Sequence, residues 1–492
     1  MKSKNNLLLY IFGATVLIFA VTSFLDRLVQ EGMFFDGITY ASISRNLSIG
    51  NGSFWNVHYR GDWRFAEHPP LMFGIQAIFF KILGDSFYTE KVYCFVVWLA
   101  TVLSLRKLWA KTTDNETAKA FSLPLFCWVM MPSVMWSYPS NLLDTTMALL
   151  DIWAVYFLFT ALQNDKIDNG KLALGGLFIY LATLTKGPVG FFPLAVPILY
   201  QLTHGKHGWG KTIAYSFIPL VTVSVLYGAT CAYEPARTCL NEYLNEQVFK
   251  AVAGQRDVVD SKLGRYQLLY DIAEQSIPAI CLAILLYLIA KLAKAKIAPV
   301  KSHKQLAIFY LLLALCGSLP IVISLKQRTF YLTPVFPYFA FAIALTAYPA
   351  FAVLMKRASI PIAKNFVNAL ILVASLGAAG YVATRFGKIG RDEAMITDVR
   401  QMQQLIPEGE KIGICRAMDR DYTFLAYIQR YHKLEVKYAY HKTRYVLIDK
   451  NACSGNFSIC LARLGYKVKT SFSNYDLYVR DYSANSPLPD RR

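Results

Sequence analysis

Apolar residues along this chain gather in blocks of roughly 20, the length a helix needs to cross a hydrocarbon core about 30 Å thick. Eleven such blocks are predicted, at residues 7–25, 91–109, 118–137, 142–162, 171–185, 188–203, 212–231, 275–292, 305–324, 330–354 and 365–384. Prolines enter several of them, among them Pro124, Pro193, Pro197 and Pro337. Membrane helices tolerate this where neighbouring helices re-satisfy the freed backbone groups. The first block follows Lys2 and Lys4 and lacks a small-residue cleavage site, so it is expected to be a retained span.

Two segments between spans are long, residues 26–90 and 232–274. In the first, Tyr40, Ile43 and Leu47 recur at helical spacing while polar residues fill the opposite face. Residues 71–83 are apolar but too short to cross, and they enter through Pro69-Pro70. Both stretches are expected to be helices lying in the outer membrane interface.

The pattern changes after the last block. Short runs of strand length (411–415, 445–448, 475–479) alternate with helix-like pieces (392–406, 422–431), which predicts a small α/β or α+β fold. The expected organisation is a polytopic α-helical membrane domain over 1–386 and a soluble periplasmic domain over 387–492. Residues after Ser483 read as a disordered tail.

Composition sharpens this picture. A hydrophobic share of 55%, a charged share of 17% and a mean hydropathy of +0.34 belong to a membrane protein. The net charge of +19 would point to nucleic acid if it formed one patch. With the amino terminus inside and spans alternating, the inner loops instead hold eighteen Lys and Arg against four acids, fourteen of the nineteen net charges. That is the positive-inside asymmetry, which orients the chain and excludes a nucleic-acid partner. The nine cysteines form no CxxC pair. Cys453 and Cys460 both fall on the outer side, where an oxidising compartment would let them pair.

Ionisable groups at the membrane face are costly, so each is a candidate for function. Asp36 stands just past the first span and reads either as a helix N-cap or as a general base. Glu67-His68 precede Pro69-Pro70, and a solvated surface pair is the alternative for them. Asp144 lies at the outer end of the span 142–162, where an unpaired carboxylate would be expensive unless it faced a cavity or a partner. Lys186, Lys326 and Arg328 flank apolar spans, either as snorkelling cations or as a phosphate clamp.

In this order the motifs resemble the membrane glycosyltransferases of the GT-C fold, in the bacterial branch related to protein O-mannosyltransferases and to the lipid A aminoarabinose transferase. The matching residues are 36–47, Glu67-His68-Pro69-Pro70-Leu71, Leu143-Asp144, 181–188, and Tyr331-Leu332-Thr333-Pro334 with Pro337. They run in family order through about two thirds of the chain. The resemblance implies 11 to 13 spans in a bacterial inner membrane. It also implies an undecaprenyl-phosphate or similar polyprenyl-phosphate sugar donor and a periplasmic lipid or glycan acceptor, such as lipid A or lipopolysaccharide. Transfer would go with inversion to a hydroxyl or phosphate. By that resemblance Asp36 is the general base and Asp144 a second acid. Tyr40, Glu67, His68 and Tyr331 shape the site, and Lys186, Lys326 and Arg328 hold the carrier phosphate.

Two positions depart from the family. Gly37 stands where many relatives carry a second acid, which weakens a two-carboxylate metal site. His68 stands where some carry Lys. No cofactor is implied with certainty; if a divalent metal takes part, Glu67 and His68 are the candidate ligands. The alternatives are a polymerase or ligase using lipid diphosphate donors, which calls for Arg-rich outer loops that 232–274 supplies only with Arg237, Arg256 and Arg265, and a transporter, which calls for mid-membrane charges in repeated halves.

Overall fold

The computed structural model describes residues 2–61, 63–255, 263–298, 300–323, 327–357, 363–438, 440–453 and 455–480. Lys326, Arg256 and the expected tail after Ser483 lie outside the described residues.

Most of the chain is helical, and among the described residues eight helices are long and apolar enough to cross a membrane. Two of these are α1 (Lys2–Leu28) and α4 (Phe87–Thr112); between them lie the shorter α2 (Phe35–Ser48) and α3 (Leu71–Leu83), which are not among the eight. The remaining six of the eight are Leu143–Gln163, Trp209–Ala232, Gln267–Leu292, a segment over Lys301–Ile323, Phe336–Arg357 and Lys364–Ala383. The helix Asn169–Lys186 accounts for a ninth predicted block. The other two blocks are broken. Residues 118–137 divide into Asn115–Ala118, Ser122–Val129 and Pro132–Ser137, with Pro132 opening the last piece. Residues 188–203 begin as a 3₁₀ turn over Pro188–Ala195 and become α-helical only at Val196–His204. Proline's missing donor and fixed φ account for both breaks.

Two ends of the bundle are distinguishable by their contacts. At one, His303 Nε2 lies 3.2 Å from Asp114 Oδ2, and Lys206 Nζ donates to the Gln163 carbonyl at 2.5 Å. At the other, Asp144 and Lys186 meet, and Arg385 Nε donates to Asp26 Oδ1 at 2.9 Å. The segment between α2 and α3 forms a small antiparallel sheet, β1 (Gly52–Ser53), β2 (Asn56–Arg60) and β3 (Trp63–Arg64).

The C-terminal part forms a five-stranded mixed sheet of β4 (Lys411–Ile414), β5 (Glu435–Lys437), β6 (Tyr445–Asp449), β7 (Lys467–Ser471) and β8 (Tyr475–Val479). Their spatial order is β5-β4-β6-β8-β7. The three predicted strands are β4, β6 and β8; short β5 and half-polar β7 carried too little apolar signal. The disulfide joins Cys415 to Cys453, while Cys460 is exposed and free. The expected Cys453–Cys460 pairing is therefore incorrect. Cys460 sits inside the helix Gly455–Arg463, whereas Cys415 directly follows β4 and faces the end of the adjacent β6.

The expectation for α2 also needs correcting. Its polar face is not in water: Ser42, Ser44, Arg45 and Asn46 are all buried. One face of α2, with Tyr40 and Ile43, packs into the bundle core, while Ile38 packs with Met33 into the core of the C-terminal sheet. The helix Tyr422–His432 covers α2 on that side. The Arg45 guanidinium donates to the carbonyls of Gln429 and Arg430, each at 3.2 Å, so it completes the last turn of that helix. By contrast α3 leaves Ile78, Ile82 and Leu83 exposed along one edge, as an interfacial helix should.

Candidate functional site

Asp36 lies in the first turn of α2, where the helix begins at Phe35 with Phe34 as its N-cap. The N-cap alternative is thus not realised. A carboxylate here instead sits near the positive end of the helix dipole, and the residue is half-buried.

Gly37 is dictated by a close approach. A Cβ at this position would stand 2.0 Å from the Ser140 carbonyl oxygen and 2.9 Å from Met33 Sδ. The turn it touches holds Asn141 in the left-handed region (φ 55°), which Asn tolerates better than most residues. Asn141 Nδ2 donates to the Gly37 carbonyl at 2.8 Å, and Asn141 Oδ1 accepts from Gln76 Nε2 at 2.7 Å. This locks the start of α2 against the start of the helix Leu143–Gln163, three residues before Asp144. A second acid at position 37 has no room here.

Asp144 is fully buried in the first turn of its helix, with its side chain 2% exposed. Its Oδ2 accepts from Lys186 Nζ at 2.5 Å. Lys186 ends the helix Asn169–Lys186, and its ammonium stands 4.2 Å from the Tyr331 ring centroid and 5.3 Å from that of Phe330. Lys186 is therefore the ion-pair partner of Asp144, a role that the sequence alone did not assign. Gly187 follows at φ +88°, and a Cβ there would meet Tyr243 Oη at 2.0 Å. That hydroxyl donates to the Lys186 carbonyl at 3.0 Å.

Tyr40 lies among the predicted acids. Burial, then the charges of Asp36, Asp144 and Glu67 and the hydroxyl of Tyr331, hold its pKa well above the ordinary tyrosine value. The phenol therefore stays neutral at physiological pH. The His68 ring stands 5.9 Å from the Tyr40 ring and 6.4 Å from that of Tyr243. Arg64 Nη1 pairs with Glu242 at 2.9 Å, so the two long segments between spans meet beside Lys186.

The predicted set thus divides. Asp36, Tyr40, Glu67, His68, Asp144, Lys186 and Tyr331 share one neighbourhood, with Glu67 itself exposed. Arg328 is exposed and caps the 3₁₀ turn Thr329–Leu332 that carries Tyr331. Among the described residues no three His, Cys, Asp or Glu side chains form a metal-binding group. Two residues escaped the sequence reading. Tyr243 sits in a polar helix that gave no signal. Asp151 lies in the middle of Leu143–Gln163, fully buried, with no hydrogen-bond partner found for either carboxylate oxygen among the described residues.

Residues 67–228 match the family described as dolichyl-phosphate-mannose-protein mannosyltransferase. Over 198 residues the chain is 27% identical to undecaprenyl phosphate-alpha-4-amino-4-deoxy-L-arabinose arabinosyl transferase 1 of Proteus mirabilis. That match spans 39% of this chain and about a third (35%) of the relative's length. In three dimensions the shared fold extends over almost the whole chain. The crystal structure of ArnT from Cupriavidus metallidurans bound to undecaprenyl phosphate superposes with a TM-score of 0.65 at 15% identity, covering 97% of this chain and 99% of that one. Its apo form gives 0.62 at 14% identity, with coverage of 96% and 99%. The archaeal oligosaccharyltransferase AglB from Archaeoglobus fulgidus gives 0.50 at 11% identity, with coverage of 96% and 74%.

The chain is a multi-span membrane protein with the GT-C fold of membrane glycosyltransferases. Within that fold its architecture is ArnT-like from end to end, including the small C-terminal sheet.

Proposed function

We propose that this protein is a glycosyltransferase that moves a sugar from a polyprenyl-phosphate carrier, of the undecaprenyl type, to an acceptor in the bacterial envelope. The observation that carries the reading is the Asp144–Lys186 ion pair beside a buried, neutral Tyr40 that also feels the charges of Asp36 and Glu67. The relatives' names speak of dolichyl or undecaprenyl phosphate, and the transferase from P. mirabilis lends the sugar class.

In this mechanism an acceptor oxygen bonds to the anomeric carbon from the side opposite the carrier phosphate. The carbon–oxygen bond to that phosphate breaks, and the carrier leaves with the bonding pair. Asp36 takes the proton of an acceptor hydroxyl as the bond forms. Negative charge builds on the departing phosphate, and we assign its stabilisation to Lys186 and to Arg328, which caps the turn that carries Tyr331. Lys186 would then shift part of its contact from Asp144 to the phosphate, and Asp144 would keep it oriented. Tyr40 supplies a hydroxyl that donates a hydrogen bond to the sugar or phosphate without losing its proton.

We place the working face at the periplasmic side, because most of the net positive charge falls in the short loops at the opposite end of the bundle. The deciding experiment is mass spectrometry of envelope glycolipids and glycans from cells with the gene, without it, and with the Asp36→Asn form. Loss of one sugar from one product class in the latter two supports the reading. Unchanged products would defeat it.

One observation favours transport as a second reading. Asp151 is buried at mid-helix, where transporters place coupling charges. Substrate-dependent change in the accessibility of a cysteine placed at 151 would support it.

A further inference from the structure

The C-terminal sheet carries a feature that the proposed transfer chemistry does not use. Strands β5, β4 and β6 are parallel neighbours, with Gly413 of β4 opposite both Lys437 and Val446. The chain leaves β4 toward β5 at one edge of the sheet and leaves β6 toward β7 at the other. Adjacent parallel strands whose connections diverge in this way open a crevice outside their carboxyl ends, where ligands of open α/β sheets bind.

A cavity of about 730 Å³ occupies that position. Its floor is the end of β4, and its walls are the chain just after β4 and after β6. The Cys415–Cys453 disulfide joins those two walls. Besides Ala417 and Ala452, the rest of the lining is aromatic and charged: Tyr438, Tyr440 and Phe457, with Arg416 and Asp419. Tyr440 reaches this place because position 413 is glycine; a Cβ there would lie 2.6 Å from Tyr440 Cβ. Tyr438 is 47% exposed, its hydroxyl donates to Asp419, and Arg60 Nη2 donates to the same hydroxyl at 3.4 Å. Arg60 ends β2, so the crevice rim is continuous with the segment that carries Glu67 and His68.

We infer that this crevice binds a saccharide, the sugar portion of the acceptor. The exposed Tyr438 ring, beside the partly buried Tyr440 and Phe457, offers a flat apolar face for the C–H face of a pyranose. A planar guanidinium and a carboxylate at the same mouth offer paired donors and acceptors for vicinal hydroxyls, and the guanidinium also suits a sugar phosphate. The volume lies within the range of small-molecule sites. The assignment of this saccharide to the acceptor rests on the transferase reading, whereas binding itself does not.

The test uses the full-length protein in lipid nanodiscs. The probes are the phosphorylated oligosaccharide released from lipopolysaccharide by mild acid and, as a neutral comparison, maltohexaose. Saturation-transfer NMR and a titration should show saturable binding of the phosphorylated oligosaccharide. Arg416→Ala and Tyr438→Ala should each weaken it at least tenfold with thermal stability unchanged. Absence of saturable binding for both probes, or binding indifferent to both substitutions, would overturn the inference. Asp36→Asn should leave oligosaccharide binding intact. Sugar transfer without this binding therefore defeats the crevice alone, and binding without transfer defeats the transferase reading alone.

Discussion

Lys186 Nζ meets Asp144 Oδ2 at 2.5 Å across 42 residues of sequence, joining the end of one helix to the start of another in a place where water hardly reaches either group. Taking two charges out of water is costly, and their mutual attraction offsets this only while both are present. Removing one leaves the other buried and uncompensated.

Lys186→Met should therefore destabilise the protein by roughly 3–5 kcal/mol, as should Asp144→Ala. The double variant Asp144→Leu with Lys186→Met should recover most of that loss and still fail to transfer sugar. Thermal melting in detergent and a transfer assay separate the two effects. A double variant as unstable as the sum of the singles would contradict the pairing.

Asp36→Asn keeps the shape and hydrogen-bonding capacity of the first turn of α2 but removes the base. Turnover should fall by about 10²–10⁴-fold with melting temperature unchanged. Tyr40→Phe should fold normally and lose less, about tenfold, because only one hydrogen bond to the bound substrate goes. Rates near those of the unaltered protein for Asp36→Asn would remove the general base from the mechanism.

Gly37→Asp places a second acid directly after Asp36. Here it should damage the protein, since the new Cβ overlaps the Ser140 carbonyl. Overpacking of this kind costs about 1–3 kcal/mol or more. Lower expression, a lower melting temperature and lost transfer are expected together; a stable and active Gly37→Asp form would show that the two turns separate easily.

Arg430 fastens the C-terminal sheet to the bundle. Its guanidinium donates to Glu90 at 2.9 and 3.0 Å, to Asp85 at 2.8 Å and to the Ser86 carbonyl at 2.8 Å. Arg430→Gln should increase hydrogen exchange in Tyr422–His432 and in α2 alike. Acid should do the same within a narrow window. Burial would raise the Asp85 pKa, but Arg430, Arg45 and Lys433 outweigh it and hold the carboxyl below its ordinary value. A depressed carboxylate contributes stability that is fully present above the unfolded pKa, about 3.9, and is lost as pH falls through the folded value. Protection of these amides relative to their intrinsic exchange rates should thus be flat from pH 8 to 5 and fall only below about 4. A loss of protection already between pH 7 and 5 would mean that a histidine controls the contact instead.

Much of this protein could be read directly from the order of its residues. Span positions, the two long connecting segments, helices α2 and α3 and three of the five C-terminal strands follow from runs of apolar residues and their period, which are local properties. So does the choice of Asp36, Asp144 and Lys186 as candidates, because a charge beside an apolar block is visible in one dimension. The partners of those charges were not visible. That Lys186 answers Asp144, that Gly37 yields to Ser140, that Cys415 rather than Cys460 joins Cys453, and that the polar face of α2 is covered by the helix Tyr422–His432 all depend on segments 38 to almost 400 residues apart. Hydropathy measures what each segment needs from its surroundings. Only the packed structure decides which neighbour supplies it, since many pairings would bury the same apolar area and few also satisfy every buried polar group.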